Sequence, residues 1–227
     1  MRAWTYEEVK NKVEQDLDLQ EESFITADEM MAYCNEGIDE AEAEIHKFKV
    51  EDEYFLAKDI ITLEDGESEY DMPSDIYANK IKALMYGNGS NIYRIDRFKQ
   101  HKAFEEIANL QGNEDYRYLI TNDSTDGIKL VLYPAARESG AYITRWYIRN
   151  AKRVTATTDV LDIPEFVNFV IQYMKVRCYE KEGHPNLELA VVALKQQRDM
   201  MVSTLGDMTP DGDNLVEMDL GHYMSHA

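Results

Sequence analysis

The chain has 227 residues, of which 44% are hydrophobic, and a formal net charge of −20 at pH 7. This length and apolar content fit one domain, or one domain with a large insertion, and they exclude a wholly disordered chain. No run reaches the length of about 18 apolar residues that a transmembrane helix needs, so we expect no membrane partner. Two cysteines exclude a disulfide framework, and a reducing compartment during synthesis is the simple interpretation.

The acidic residues are concentrated at the two ends of the chain. Residues 1–75 carry 24 acidic and 6 basic side chains, residues 76–205 carry 15 acidic and 18 basic, and residues 206–227 carry 5 acidic and no lysine or arginine. An acidic chain repels phosphate backbones, which argues against sequence-specific DNA binding. The charge has two interpretations: it keeps the protein soluble, or it lines a path through which DNA slides without sticking.

Two amphipathic helices are predicted at the start of the chain. The first covers residues 5–17, where apolar residues recur every four positions. The second begins at Thr26, which forms a capping box with Glu29. Its apolar stripe consists of Met31, Cys34, Ile38, Ala41 and Ile45. Its opposite face is acidic, and we expect solvent or a basic neighbour to compensate that charge.

After Tyr54 the pattern changes to short strands. Gly87–Ser90 and Asp126–Gly127 predict two hairpin turns, and Pro73 ends the strand before it. The longest predicted strand is residues 141–149, with aromatic residues on both faces, which predicts that both faces are covered. The predicted elements of this region are strands Ile60–Leu63, Glu69–Met72, Lys80–Tyr86, Asn91–Ile95, Tyr116–Thr121, Ile128–Tyr133 and Ala141–Arg149, and a short helix from Phe98 to Leu110.

Two further helices are predicted near the end of the chain. Asp162 is the expected cap of the first, with Pro164 in its first turn, and Gly183 ends it. The second follows after Asn186 and ends before Gly206. Their apolar stripes are Phe166, Val167, Val170, Ile171, Met174 and Cys178 for the first, and Leu187, Val191, Leu194, Met201 and Leu205 for the second. The short connection predicts antiparallel packing.

These elements predict an α+β fold in four segments. Residues 1–57 hold the N-terminal helices of a helical bundle, and residues 58–158 form a large antiparallel β-rich insertion. Residues 159–205 form the C-terminal antiparallel helix pair of the same bundle. Residues 206–227 have neither periodicity nor an apolar stripe, and we expect them to form an extended acidic tail.

Motifs of catalysis are absent from the sequence. We find no phosphate loop, nucleophile elbow or dinucleotide fingerprint, and no histidine lies at zinc-finger spacing with a cysteine. We therefore expect no catalytic residue, no cofactor and no metal. Because acidic residues are abundant, a carboxylate pair can always be imagined, and a small hydrolase stays as an alternative. The charge alone also allows an acidic inhibitor or DNA mimic.

One dense basic cluster lies in residues 145–153, with two aromatic residues interleaved. It could be a nucleic-acid patch. Charge complementarity favours a subunit contact, in which it meets the acidic face of residues 36–44 in a neighbouring copy. The residues predicted to make this contact are Glu36, Glu40, Arg149 and Arg153.

The order of these segments resembles the head-to-tail adaptor (connector) proteins of short-tailed bacteriophages. The segments that carry the resemblance are Asn35–Ala41, Tyr70–Asp75, Tyr133–Pro134, Tyr147–Arg149, Asp162–Phe166, Lys181–Pro185 and Thr209–Asn214. They span nearly the whole chain. The resemblance lies in the order of the whole set and not in any single segment.

The resemblance implies a structural virion protein, assembled in the host cytoplasm and located in the neck or tail. Such adaptors form a ring, usually dodecameric, beneath the portal protein, and DNA passes through the lumen. Tail nozzle or tail-fibre proteins attach below, and the C-terminal tail reaches into the portal. The tail residues that this implies as portal contacts are Pro210, Asp211, Asp213, Asn214, Met218 and Tyr223. A tail-tube or nozzle ring protein of the same virion is a near alternative.

Overall fold

The structure is a computed structural model that describes residues 3–19, 24–48, 50–89, 91–98, 116–123, 125 and 127–208. Its helices are α1 (Tyr6–Leu17), α2 (Ala27–Lys47), α3 (Glu51–Phe55), α4 (Val167–Glu182) and α5 (Leu187–Met208), with a 3-10 turn at Pro164–Phe166. Its strands are β1 (Leu56–Thr62), β2 (Glu69–Asp71), β3 (Ile76–Gly87), β4 (Ile92–Arg94), β5 (Asp96–Arg97), β6 (Arg117–Asp123), β7 (Gly127–Tyr133) and β8 (Tyr142–Arg149). The predicted α+β class is confirmed.

The chain divides into two compact units. One, the helical unit, comprises Met1–Tyr54 and Ala151–Ala227, and the other, the β unit, comprises Phe55–Asn150. The sequence placed the bounds of the β-rich segment at residues 58 and 158. The difference at the second bound arises because residues 151–161 are extended but bond to the helices.

The helical unit is built around α4, which packs against α1, α2 and α5. Residues on more than one side of α4 are therefore buried, including Phe169, which lies outside the predicted stripe. Gly37 of α2 faces Val170, and a Cβ at this glycine would lie 3.3 Å from the valine Cγ1. The absence of a side chain thus lets α2 and α4 approach closely.

Capping boxes begin both N-terminal helices. The Thr26 box with Glu29 was predicted, and Thr5 forms a second one with Glu8, whose backbone N–H donates to the threonine hydroxyl. The predicted cap of α4 is wrong. Asp162 accepts a hydrogen bond from the Lys152 backbone N–H at 2.9 Å, and a 3-10 turn precedes the helix.

Helix α5 continues past the predicted end. Gly206 lies inside it rather than after it, and the helix ends at Met208, whose sulfur accepts a hydrogen bond from the Tyr54 hydroxyl at 3.3 Å. A glycine costs a helix only about 1 kcal/mol, which the buried Leu205 beside it offsets. The predicted tail from residue 209 onward lies outside the described residues.

The extended segment 151–161 is fixed by side chains and backbone of α1 and α2. Glu42 accepts from the Ala151 backbone N–H at 3.0 Å, and the Asn35 amide makes two hydrogen bonds with the Val154 backbone, at 2.8 and 3.0 Å. At the start of α1, the Tyr6 backbone N–H donates to the carbonyl of residue 159 at 2.8 Å. The free N–H groups at that helix end are thereby satisfied.

The β unit contains two four-stranded sheets. The first sheet has the order β1-β8-β3-β4 and the second sheet has the order β2-β7-β6-β5. All pairs are antiparallel except β5 with β6. Both predicted hairpins, β3–β4 and β6–β7, are confirmed. Their inward-facing side chains form one core of Leu63, Tyr70, Leu84, Tyr86, Ile95, Tyr116, Tyr118, Leu130, Leu132, Ala136, Ala141 and Ile143.

The longest strand is β3, with 12 residues, and not β8 as predicted. Its pairing with β8 is interrupted near Ala78 and Asn79, which both have positive φ. Along β8, Ile143, Arg145 and Tyr147 are buried on one face. On the opposite face Ile148 is buried, whereas Tyr142, Thr144 and Trp146 are half-buried. Most of the helix predicted from Phe98 to Leu110 lies outside the described residues.

A buried arginine links the two sheets. Arg145 in β8 is 3% exposed and donates to both carboxylate oxygens of Asp59 in β1, at 3.0 and 2.6 Å. Its guanidinium also donates to the backbone carbonyl of Asp71 in the second sheet, at 2.9 Å. Arg145 was predicted to belong to a surface basic cluster, but its guanidinium is inside the β unit.

Candidate assembly surfaces

The acidic face of α2 is matched by cations of the same helical unit. The pairs and their N–O distances are Glu29–Lys181 at 2.6 Å, Glu36–Arg177 at 3.0 Å and Asp39–Arg153 at 2.6 Å, and Glu44 contacts both Lys47 and Arg198. The positive charge expected to compensate the acidic face of α2 therefore comes largely from lysine and arginine residues of the same chain. Two of these cations lie on α4 and one on α5, so the pairs also hold the helices together.

Two carboxylates on α2 illustrate the electrostatics of this face. The hydrogen bonds from Lys181 and Thr26 lower the pKa of Glu29 to about 2. Burial disfavours the ionised form of Glu44, but the hydrogen bonds from Lys47 and Arg198 outweigh it and lower the pKa of that carboxyl. Both groups are thus ionised at neutral pH, and this face is a set of formed ion pairs.

The predicted subunit-contact residues lie at different places. Glu36 and Glu40 share the outer side of α2, where Glu40 is exposed and Glu36 is paired with Arg177. Arg153 lies beside α2 because it pairs with Asp39. Arg149 belongs to the β unit, where its guanidinium lies 5.7 Å from the centre of the Phe55 ring. The predicted portal contacts lie outside the described residues.

Helix α5 has a second apolar face that the sequence prediction missed. Ala190, Met201 and Leu205 are buried on its inner side. On another side, Leu189, Val192 and Met200 are 71%, 56% and 54% exposed. Their spacing places them along one line of the helix, with Gln196 between them. We call Leu189, Val192 and Met200 the outer stripe.

The signal for this stripe is present in the sequence. Residues 189–194 read Leu-Ala-Val-Val-Ala-Leu, which is apolar around the whole circumference of a helix. A helix of that kind is covered on all sides in its working state. Val191 was assigned to the core stripe, but it is 47% exposed.

A groove lies next to the outer stripe, between α5 and the start of α4. Its volume is about 170 Å³. Its lining combines apolar and polar side chains from both helices and the 3-10 turn: Glu165, Phe166, Asn168, Phe169, Gln197, Met200, Met201 and Thr204. The groove meets the outer stripe at Met200. Exposed apolar side chains beside a groove are typical of a surface that contacts a protein partner.

Metal sites, membrane-spanning helices and reactive thiols were also considered within the described part of the chain. No cluster of three or more histidine, cysteine or acidic side chains with metal-binding geometry occurs there. Across the same residues, no helix is long and apolar enough to cross a membrane. Cys34 and Cys178 are both buried, and burial raises the pKa of each thiol to about 12.

A family model described as SU10 adaptor protein matches residues 4–217. The chain belongs to the SU10 adaptor protein family. This membership confirms the resemblance to phage head-to-tail adaptors that the sequence suggested. No curated protein matches the chain.

Membership of the SU10 adaptor family determines the class of the protein. It is an adaptor-type structural protein of a bacteriophage, which associates with other head and tail proteins in the virion. For such a protein the relevant surfaces are those that contact other proteins. The outer stripe and its groove are therefore the candidate functional site of the helical unit.

Proposed function

We propose that this protein is the head-to-tail adaptor that forms a ring, dodecameric as in similar adaptors, between the portal and the tail, with DNA passing through its lumen. The family match over residues 4–217 carries this proposal. The distribution of charge supports it, because acidic ends disfavour sticking of DNA. The tail nozzle or tail fibres attach on the side away from the portal.

The contact between neighbouring copies includes the outer stripe of α5. Three large apolar side chains that are more than half exposed on one helix face are unfavourable in an isolated protein, and a neighbouring copy would cover them. Each buried side chain of this size contributes about 1.5–3 kcal/mol of transfer free energy. Glu40 of one copy and Arg149 of another add a charge-complementary contact.

The portal contact is made by the tail, with Pro210, Asp211, Asp213, Asn214, Met218 and Tyr223 as its contact residues. Residues 206–227 carry five acidic side chains and no lysine or arginine, which suits a basic groove on the portal. Because α5 extends to Met208 and packs through Leu205, a truncation that removes only residues 209–227 leaves the helix intact.

The ring is tested by native mass spectrometry and negative-stain microscopy of the protein with purified portal. Val192→Gln in the outer stripe should weaken oligomerisation at least tenfold. Val160→Gln is the matched control, since Val160 is similarly exposed at 53% in the same unit but lies outside α5. Equal oligomerisation of the two variants would refute the stripe as the contact.

The charge contact is tested separately. Arg149→Glu should block oligomerisation, and unchanged assembly would refute the charge contact. Arg153 is kept in this test because it pairs with Asp39 within the chain. Removal of residues 209–227 should leave a folded protein that no longer binds portal rings. A ring that binds the tail nozzle but never the portal would instead identify a tail-tube or nozzle ring protein.

A further inference from the structure

Phe24 is an exposed aromatic side chain just before α2. It is 66% exposed, and among the residues that the structure describes no other phenylalanine, tyrosine or tryptophan is exposed. The next residue, Ile25, is buried and occupies the position from which a hydrophobic staple packs on the first turns of a helix. Phe24 is therefore not needed to fix the entry of the chain into α2.

Lys181, near the end of α4, holds Phe24 in a defined position. Its Nζ donates to the Phe24 backbone carbonyl at 3.0 Å and lies 4.5 Å from the centre of the Phe24 ring. The same ammonium group donates to both carboxylate oxygens of Glu29, at 2.6 Å each. The ring is thus exposed but fixed in place, which reduces the entropy that is lost when a partner buries it.

The groove between α5 and the start of α4 has the size and the lining that an aromatic ring requires. A cavity of about 150 Å³ holds a benzene molecule, and the groove has a volume of about 170 Å³. Its apolar lining consists of Phe166, Phe169, Met200 and Met201. Aromatic rings and methionine sulfur both make favourable contacts with a further ring.

Phe24 cannot fill the groove of its own chain. Its ring lies beside Lys181 in the last turn of α4, whereas the groove includes Phe169 in the first turn of the same helix. Between Phe169 and Lys181 the helix rises by about 18 Å, which is much more than the length of a phenylalanine side chain. The ring and the groove are therefore separate surfaces of the helical unit, and a ring that fills the groove comes from another molecule.

The charges beside the two surfaces are complementary. Asp28 lies in the first turn of α2, is exposed, and forms no ion pair with any described residue. Lys195 of α5 is also exposed and has no carboxylate partner in the described part of the chain. It lies three residues after Val192 and so flanks the outer stripe, which meets the groove at Met200. Opposite charges of this kind favour contact between the Phe24 side of one copy and the groove side of another.

We propose that the Phe24 ring of one copy inserts into the groove of the next copy, and that Asp28 and Lys195 pair across the same boundary. The contact joins two different surfaces and leaves one of each free on every copy, so it repeats and closes into a ring. The inference rests on the proposed ring and names the side chain that fills the groove beside the outer stripe. Each copy thereby completes the groove of its neighbour.

Cysteine crosslinking tests the contact directly. Thr204 is exposed and lines the groove. On portal-bound assemblies, Phe24→Cys and Thr204→Cys in separate, differently tagged copies should give a disulfide-linked heterodimer. Val160→Cys in place of Thr204→Cys is the matched control and should give none, because Val160 is exposed in the same unit but lies outside the groove. The native thiols are buried and do not compete.

Removal of the ring gives an independent readout. Phe24→Ala keeps the backbone carbonyl that Lys181 binds and should lower the association constant between copies about tenfold. Thr204→Phe fills the groove from its own chain and should lower the constant to a similar degree. The two changes together should lower it no further than one of them, because both remove the same contact. Unchanged association of Phe24→Ala, or multiplied effects in the double variant, would overturn the proposal.

A charge exchange tests the alignment of the two surfaces. Asp28→Lys or Lys195→Asp alone should lower the association constant about threefold, and the double exchange should restore it. Failure of the double variant to recover, with circular dichroism unchanged, would overturn the pairing of these two residues.

The remaining outcomes separate this contact from the ring itself. Rings that form without the crosslink between positions 24 and 204 would overturn this inference alone. If Thr204→Phe weakens binding to portal rings but leaves association between copies unchanged, the groove takes a portal side chain and the inference is wrong. Protein that stays monomeric on native mass spectrometry, with and without portal, would overturn both the ring and this contact.

Discussion

Replacement of Arg145 should destabilise the β unit strongly. Arg145→Met removes three hydrogen bonds to oxygen, two to the Asp59 carboxylate and one to the Asp71 carbonyl, and a longer one to the Met72 sulfur. Removing one member of a fully buried ion pair costs about 3–5 kcal/mol, but the Asp59 side chain is 35% exposed and recovers part of its hydration. We therefore expect a loss of about 3 kcal/mol in the free energy of unfolding.

Urea unfolding followed by tryptophan fluorescence measures this loss. The chain has two tryptophans, and Trp4→Phe leaves only Trp146, which lies next to Arg145 in β8. With a slope of about 2 kcal/mol/M, the midpoint should fall by about 1.5 M. Arg145→Met with Asp59→Leu should recover about 2 kcal/mol, since no carboxylate is then left unpaired. A loss below about 0.5 kcal/mol for Arg145→Met alone would refute the role of the buried pair.

Three further predictions concern other parts of the chain. Gly87→Ala should cost about 1–3 kcal/mol in the same assay, because its Cβ would lie 2.6 Å from the Tyr142 ring, whereas Gly206→Ala, with no atom within 4 Å of the new Cβ, should leave stability equal or raise it. The folded pKa of Glu29, about 2, lies below its ordinary value of 4.5. The stability that the ionised Glu29 gives the folded state is therefore complete above pH 4.5 and is lost as the pH falls toward 2. Acid titration of helicity by circular dichroism should show this loss, and Glu29→Gln should flatten it; identical curves would contradict it. Both cysteine thiols should resist Ellman's reagent at about pH 8 until urea unfolds the helical unit; rapid reaction of the native protein would count against their burial.

Features encoded within a few residues were predictable from the sequence. The capping box at Thr26 and both hairpins depend on local hydrogen bonds and turn residues, and they occur where predicted. Asp162 has the same local appearance as a cap, but its carboxylate binds a backbone N–H ten residues earlier in the chain. Local patterns cannot distinguish these two outcomes, because both satisfy the same carboxylate.

Features that depend on distant partners were not predictable. Arg145 looks like a surface cation in the sequence, and only its register opposite Asp59 makes burial favourable. The parallel pairing of β5 with β6 likewise depends on a crossover between strands that are separated in the chain. For the candidate site, residues 189–194 already indicate the outer stripe of α5, whereas the groove beside it depends on how α5 packs against the start of α4.

The hydrogen bonds between α2 and the extended segment 151–161 have a consequence for synthesis on the ribosome. Asn35 and Glu42 bond to residues that follow them by 119 and 109 positions, and α4, the centre of the helical unit, comes later still. At about 5–20 residues per second, the first two helices wait on the order of 10 s for their partners. The contiguous β unit can fold during that interval. The nascent chain therefore exposes the apolar stripes of α1 and α2 throughout, which makes this interval the period of greatest aggregation risk and the point at which a chaperone would act.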